Sequence, residues 1–245
     1  MTSARNEVLP PALERAVSIQ RYARMGGVLL LVSLVAGGFG EGFVPSKLIV
    51  SSSATVTAHN LQSFEALYRL GFAAYLIEAM CDVGLSLVFY VLLRRVDRYL
   101  ALLSVFFALM GTATFAACEL FYVAPTLILD GSGSLANVST DQLNALALLS
   151  LRLFGYGGMM LTMFYGVASL LRGYLIFRSG YLPRFLGVLL GLGGLGFIAR
   201  NFLLALAPGY APEAILFLMF TAGLALIGWL LVKGVDVERW EAAGN

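Results

Sequence analysis

The chain is 245 residues long, 60% hydrophobic and only 12% charged, with a formal net charge of +2. A soluble domain carries about 25% charged residues, and several apolar runs here exceed the ~18 residues that mark a spanning helix, so a soluble globule is excluded. A nearly neutral chain gives a nucleic-acid partner no electrostatic basis, and the unbroken apolar runs lack the alternation of barrel strands.

Residues 1–24 are mixed and polar, with Pro10, Pro11, Arg5, Arg15, Arg21 and Arg24. They hold no apolar core of the kind a signal peptide needs, and a short surface-lying helix beginning at Pro11 is expected. A first membrane helix is expected over residues 25–43. It is rich in glycine, a residue that permits close helix contact in membranes, and it carries Glu41 near its far end, before Pro45. Residues 46–65 read as a polar loop in which Thr55 or Thr57 caps a short helix.

The second helix, over residues 67–95, holds Glu78 and Asp82 within an apolar run. Their four-residue spacing puts both acids on one helical face, and Tyr75 and Ser86 extend that stripe. A carboxylate in mid-membrane costs ~2.5–3.5 kcal/mol on insertion scales, so something must compensate it. The third helix, 99–123, carries Cys118 and Glu119, and Pro125 is expected to end it. Ser139 followed by Gln142 fits a capping box for the fourth helix, which is expected to reach about residue 171 with Arg152 in its first third. Arg172, Arg178 and Arg184 read as a basic connection. The fifth helix, 182–206, contains Gly187 and Gly191 and is interrupted by Arg200 and Asn201. The turn at Pro208 and Gly209 leads to a sixth helix, 214–232, and a short charged tail, 233–245.

The expected fold is therefore all-α, a polytopic bundle with a segment 1–24, a six-helix domain 25–232 and a tail 233–245. Six crossings place both termini on one side. That side holds twelve lysines and arginines against only Lys47 in the opposite loops, so the positive-inside rule puts both termini in the cytoplasm.

Each helix leaves the cytoplasmic side beside an arginine, which gives a depth ruler. On it Asp82 lies ~18 Å deep, Glu78, Arg200 and Glu41 at ~24–25 Å, and Arg152 and Glu119 at ~30–31 Å. One charged layer is expected in the outer half of the bundle, with Arg200 paired to Glu78 or Glu41 and Arg152 paired to Glu119. Cys81 and Cys118 differ in depth by ~10 Å, beyond disulfide range, and the single histidine, His59, falls in a loop. No metal site and no cofactor are expected, and the absence of a mid-helix lysine argues against a retinal Schiff base.

The run from residue 173 to 187, GYLIFRSGYLPRFLG, is the most specific motif. With Arg69-Leu70-Gly71, Cys81-Asp82-Val83 and the acid near the end of the first helix, it resembles a bacterial multi-pass membrane family known only as a domain of unknown function. The resemblance implies a six-helix protein of the bacterial inner membrane and no particular reaction. Intramembrane ions mark functional sites by default. The first functional expectation is binding or transport of an anionic or zwitterionic small molecule, or a lipid headgroup. Arg200 and Arg152 would hold its acid, Asn201 and Tyr75 would donate hydrogen bonds, and Glu78 and Asp82, with Glu41 and Glu119 nearby, would serve its cationic part or carry protons. A lipid-modifying membrane enzyme with Glu78 or Asp82 as base, and an accessory protein whose ions are scaffolding, are the alternatives. The bilayer is the expected partner, and the glycine-rich faces allow an oligomer.

Overall fold

The computed structural model of the chain describes residues 11–207, 210 and 214–243. The first ten residues and the turn at Pro208 and Gly209 lie outside the described residues. Among those described the structure is helical, with no strand. The helices are α1 (Pro11–Gly37), a π-helical segment (Gly38–Phe43), α2 (Val44–Leu48), α3 (Ala54–Ser63), α4 (Glu65–Leu93), α5 (Arg98–Asp130), a 3-10 turn (Gly133–Leu135), α6 (Thr140–Ser179), α7 (Arg184–Leu206), α8 (Ala214–Val232) and α9 (Val237–Ala242). Among the described residues, five stretches are long and apolar enough to cross a bilayer: Ser18–Leu48, Glu65–Leu93, Arg98–Asp130, Thr140–Ser179 and Arg184–Leu206. Among the same residues α8 adds a shorter apolar stretch, Leu216–Val232.

The six long helices form a ring. Each packs on the next in chain order, and α8 returns to α1. Two apolar clusters fill the ring at its ends. At the Arg94 end lie Phe89, Leu92, Leu93, Ile176, Leu186 and Leu230 with their neighbours. At the Pro45 end lie Tyr68, Tyr75, Phe115, Tyr122 and Phe154, under Leu48 and Leu61. The seam between α6 and α7 is built of glycine. A Cβ on Gly173 would stand 2.7 Å from the Gly187 carbonyl oxygen, and one on Gly194 would stand 2.8 Å from the Leu170 backbone nitrogen. Only glycine lets two backbones meet this closely.

Several local expectations change. The lead-in from Pro11 and the first span are one continuous helix. Ser53, rather than a threonine, caps α3, accepting from the Val56 N–H at 3.2 Å. Thr57 instead exchanges hydrogen bonds with the backbone of Val50. Pro125 does not end α5, which continues to Asp130 and closes on Gly131 in the left-handed conformation, φ 62°. Proline has no N–H for the carbonyl four residues back, and Ser150 Oγ of α6 donates to that Phe121 carbonyl at 2.7 Å. In a membrane such a freed group needs a partner from a neighbouring helix. The Ser139–Gln142 capping box is present as expected. The fourth span runs on to Ser179, eight residues past the expected end, because Gly173 and Gly187 hold α6 and α7 together through that stretch. Cys81 and Cys118 are free thiols.

Candidate functional site: a charged cavity inside the helix ring

Between the two apolar clusters the ring holds a partly open cavity of about 520 Å³, within the ~300–1,000 Å³ of small-molecule sites. Its walls come from α1 and the π segment, α4, α6, α7 and α8. The charged groups in the wall are Glu41, Glu78, Asp82 and Arg172.

Glu41 reaches the wall because the backbone widens there. From Gly38 to Phe43 the helix is π-helical, and the Val44 N–H bonds to the Phe39 carbonyl, five residues back. Such insertions are rare and recur at functional sites. Tyr75, fully buried on α4, donates its hydroxyl to the Gly40 carbonyl at 2.7 Å and so holds the widened turn. Glu41 keeps accessible surface and lines the cavity.

Glu78 lies against α1. A Cβ on Gly37 would stand 2.8 Å from its Oε1, so the glycine makes room for the carboxyl. Its Oε2 is buried and has no hydrogen-bond partner. One turn further, Asp82 is 6% exposed and accepts from Ser33 Oγ at 3.1 Å. It also lies in range of the Tyr165 hydroxyl and the Arg172 guanidinium. Tyr165 is fixed by Thr112 of α5, oxygen to oxygen at 3.0 Å.

Arg172 is the cation of the site. It is 5% exposed, with its guanidinium carbon 4.4 Å from the centre of the Phe89 ring. Its Nε and Nη2 are buried without a hydrogen-bond partner. A guanidinium offers five donors, and leaving them unmade in a desolvated place is expensive. One guanidinium and three carboxyl groups thus share the cavity wall, and Arg172 and Glu78 both keep buried atoms that the protein leaves without a partner.

The cations expected from the sequence stand elsewhere. Arg200 does not line the cavity, and its Nε is buried without a partner. Arg152 donates from Nη2 to the Ser51 carbonyl at 2.9 Å, tying α6 to the loop before α3. Among the described residues the ion pairs are Arg69–Glu65 and Arg239–Asp236, both on the surface, so the expected pairings of Arg200 and Arg152 do not form. Depth along a helix says nothing about which way a side chain points around it, and that is why equal depth did not become contact. Asn201 donates to Thr162 Oγ1 at 2.9 Å and to the Phe197 carbonyl at 2.8 Å, bracing the α6–α7 wall from behind. Tyr75 gives its hydroxyl to the backbone rather than to the cavity. Glu119 is buried on α5 with Oε1 unpartnered, outside the cavity lining but within electrostatic range of Glu78. No group of three or more His, Cys, Asp or Glu among the described residues is placed to hold a metal ion.

Arg172 is the residue that sequence reasoning missed. In the residue order it stands with Arg178 and Arg184 and reads as part of a basic connection. The signal that finds it is the small-residue row Gly166, Ser169 and Gly173, which carries a tight helix contact through that stretch and past Arg172.

An all-helical ring with at least five apolar spans and a charged interior defines an integral membrane protein. Residues 25–234 match the family described as a domain of unknown function, DUF4386, and the chain belongs to that family. An uncharacterized protein of Archaeoglobus fulgidus is 28% identical over 153 residues, 62% of this chain and 76% of the archaeal protein. No solved structure matches the chain.

Proposed function

We propose that the protein crosses the membrane six times with both ends in the cytoplasm, and that its cavity binds a small zwitterionic molecule or headgroup. The sixth crossing is α8. Its 19 residues span ~28 Å, close to a ~30 Å hydrocarbon core, and it closes the ring between α7 and α1. The orientation is supported by Arg24, Arg94, Arg95, Arg98, Arg178, Arg184 and Lys233 at one end of the spans, the side that the positive-inside rule assigns to the cytoplasm.

The observation that carries the binding reading is the Arg172 guanidinium, buried in the cavity wall with Nε and Nη2 unpartnered. A phosphate or carboxylate oxygen supplies the missing acceptors. Glu78, Glu41 and Asp82 then hold the ligand's ammonium. A zwitterion meets both charges at once, whereas an anion alone leaves the carboxyl groups uncompensated.

The test is binding of glycerophosphoethanolamine and of its lysolipid to the purified full-length protein, wild type against Arg172→Gln. Loss of about tenfold or more in affinity for both compounds in the variant is expected, with the folded protein retained. Wild-type affinity in Arg172→Gln sinks the assignment.

A further inference from the structure

The walls of the cavity differ in how tightly they close. At the Arg94 end α1 and α8 touch: a Cβ on Gly27 would stand 3.1 Å from the Leu231 backbone nitrogen. The two helices run antiparallel. Moving ~16 Å toward the Pro45 end brings Gly38 level with Phe220. There the seam parts. Gly38 and Gly42 on one side and Gly223 on the other all line the cavity. At each of these glycines no atom of the described residues, the local helix backbone aside, lies within 4 Å of where a Cβ would stand. Phe220 lines the same cavity and is still 50% exposed. Glu41 and Gly38 are likewise exposed. Among the described residues, the cavity is therefore open to the side of the bundle that faces lipid.

We infer that the cavity fills sideways from the bilayer, between α1 and α8, and that its occupant is a phospholipid-like amphiphile with a zwitterionic head. This rests on the zwitterion reading above and adds the ligand's source and its tail. The phosphate sits on Arg172 and the amine among the carboxyl groups. The acyl chain lies against Leu34, Phe220 and Leu216 and leaves through the parted seam. Apolar residues make up most of the wall on that side, a surface that suits a hydrocarbon chain better than a water-soluble solute. A chain buried there gains for each methylene removed from water.

The experiment compares lysophosphatidylethanolamine with glycerophosphoethanolamine on the purified full-length protein, wild type against Gly38→Trp and Gly223→Trp. Either tryptophan enters open space and plugs the seam from its own side. The expected result is lysolipid affinity at least about tenfold above that of the tail-less compound, lowered about tenfold in either variant. Wild-type lysolipid affinity in both variants overturns the lateral route. Equal affinity for the two compounds in the wild type overturns it as well and leaves the zwitterion reading standing. Binding of neither compound removes both. A lysolipid carrying a photoreactive diazirine in its chain gives a variant-free check: crosslinks to α1 and α8 peptides are expected, and crosslinks confined to other helices overturn the route.

Discussion

The α6–α7 seam and the α1–α8 seam use the same residue for opposite ends. Along α6–α7, Gly166, Gly173, Gly187 and Gly194 leave room that the partner backbone occupies at once. Along α1–α8, Gly38, Gly42 and Gly223 leave room that no atom of the described residues occupies. A glycine is a packing device only where a neighbour arrives to fill its place. Polar groups divide in the same way. Near the closed wall, Asn201 and Thr162 satisfy each other, and at the Pro45 end Tyr122 donates to the Tyr68 carbonyl at 3.0 Å while Tyr68 donates to the Tyr122 carbonyl. In the cavity, Arg172 and Glu78 keep unpartnered atoms. Arg200 and Glu119 also keep a buried unpartnered atom outside the cavity, so it is the meeting of unpartnered groups with open space that marks the site.

The sharpest way to break this comparison is Gly173→Ala. Its methyl would meet the Gly191 backbone nitrogen at 2.6 Å and the Gly187 carbonyl oxygen at 2.7 Å. Backbone on both sides cannot swing away as a side chain can. Overpacking of this kind costs about 1–3 kcal/mol, and thermal unfolding in detergent should show a clear loss of stability. An unchanged unfolding curve would mean that the two helices can separate freely, and the closed seam would lose its role.

Tyr75→Phe is expected to have a smaller effect. It removes the bond to the Gly40 carbonyl while keeping the ring contacts with Phe115, Tyr122 and Phe154. Hydrogen bonds between membrane helices are worth about 0.6 kcal/mol on average and up to about 1.7. A loss in that range is expected by unfolding, together with weaker ligand binding, because the π-helical turn that carries Glu41 loses its brace. A stability loss with binding untouched would separate Tyr75 from the site.

Much of this arrangement was visible in the residue order. The positions of the long helices, the Ser139–Gln142 cap and the shared face of Glu78 and Asp82 follow from apolar length, capping chemistry and a four-residue spacing. What failed has physical causes. Arg172 looks like a helix-end residue because it precedes two arginines that are, and only contact with α7 shows the helix continuing. Arg200 and Arg152 matched the acids in height, but azimuth depends on how six helices turn against one another. Pro125 looked like a stop until Ser150 supplied the missing bond from another helix. The π turn has no clear signature, since a run of glycines fits an ordinary close-packed helix equally well.

Gly38→Ala is the smallest expected effect and the most discriminating, because its sign is opposite to that at Gly173. The backbone at Gly38 is not among the positive-φ positions, which are Gly131, Gly133, Gly180 and Gly234, so alanine fits without strain. Among the described residues no atom beyond the local helix backbone lies within 4 Å of the new methyl, so no packed neighbour needs to move. Removing a glycine also narrows the unfolded ensemble, a gain of about 0.4–1 kcal/mol where the native conformation suits the new residue. Stability is therefore expected to hold or rise slightly in the unfolding assay in which Gly173→Ala falls. A single methyl is too small to seal the seam, so lysolipid affinity should stay near the wild-type value, in contrast to Gly38→Trp. A destabilisation at Gly38 comparable to that at Gly173 would mean that the α1–α8 seam closes in the bilayer, and the two seams would then be alike.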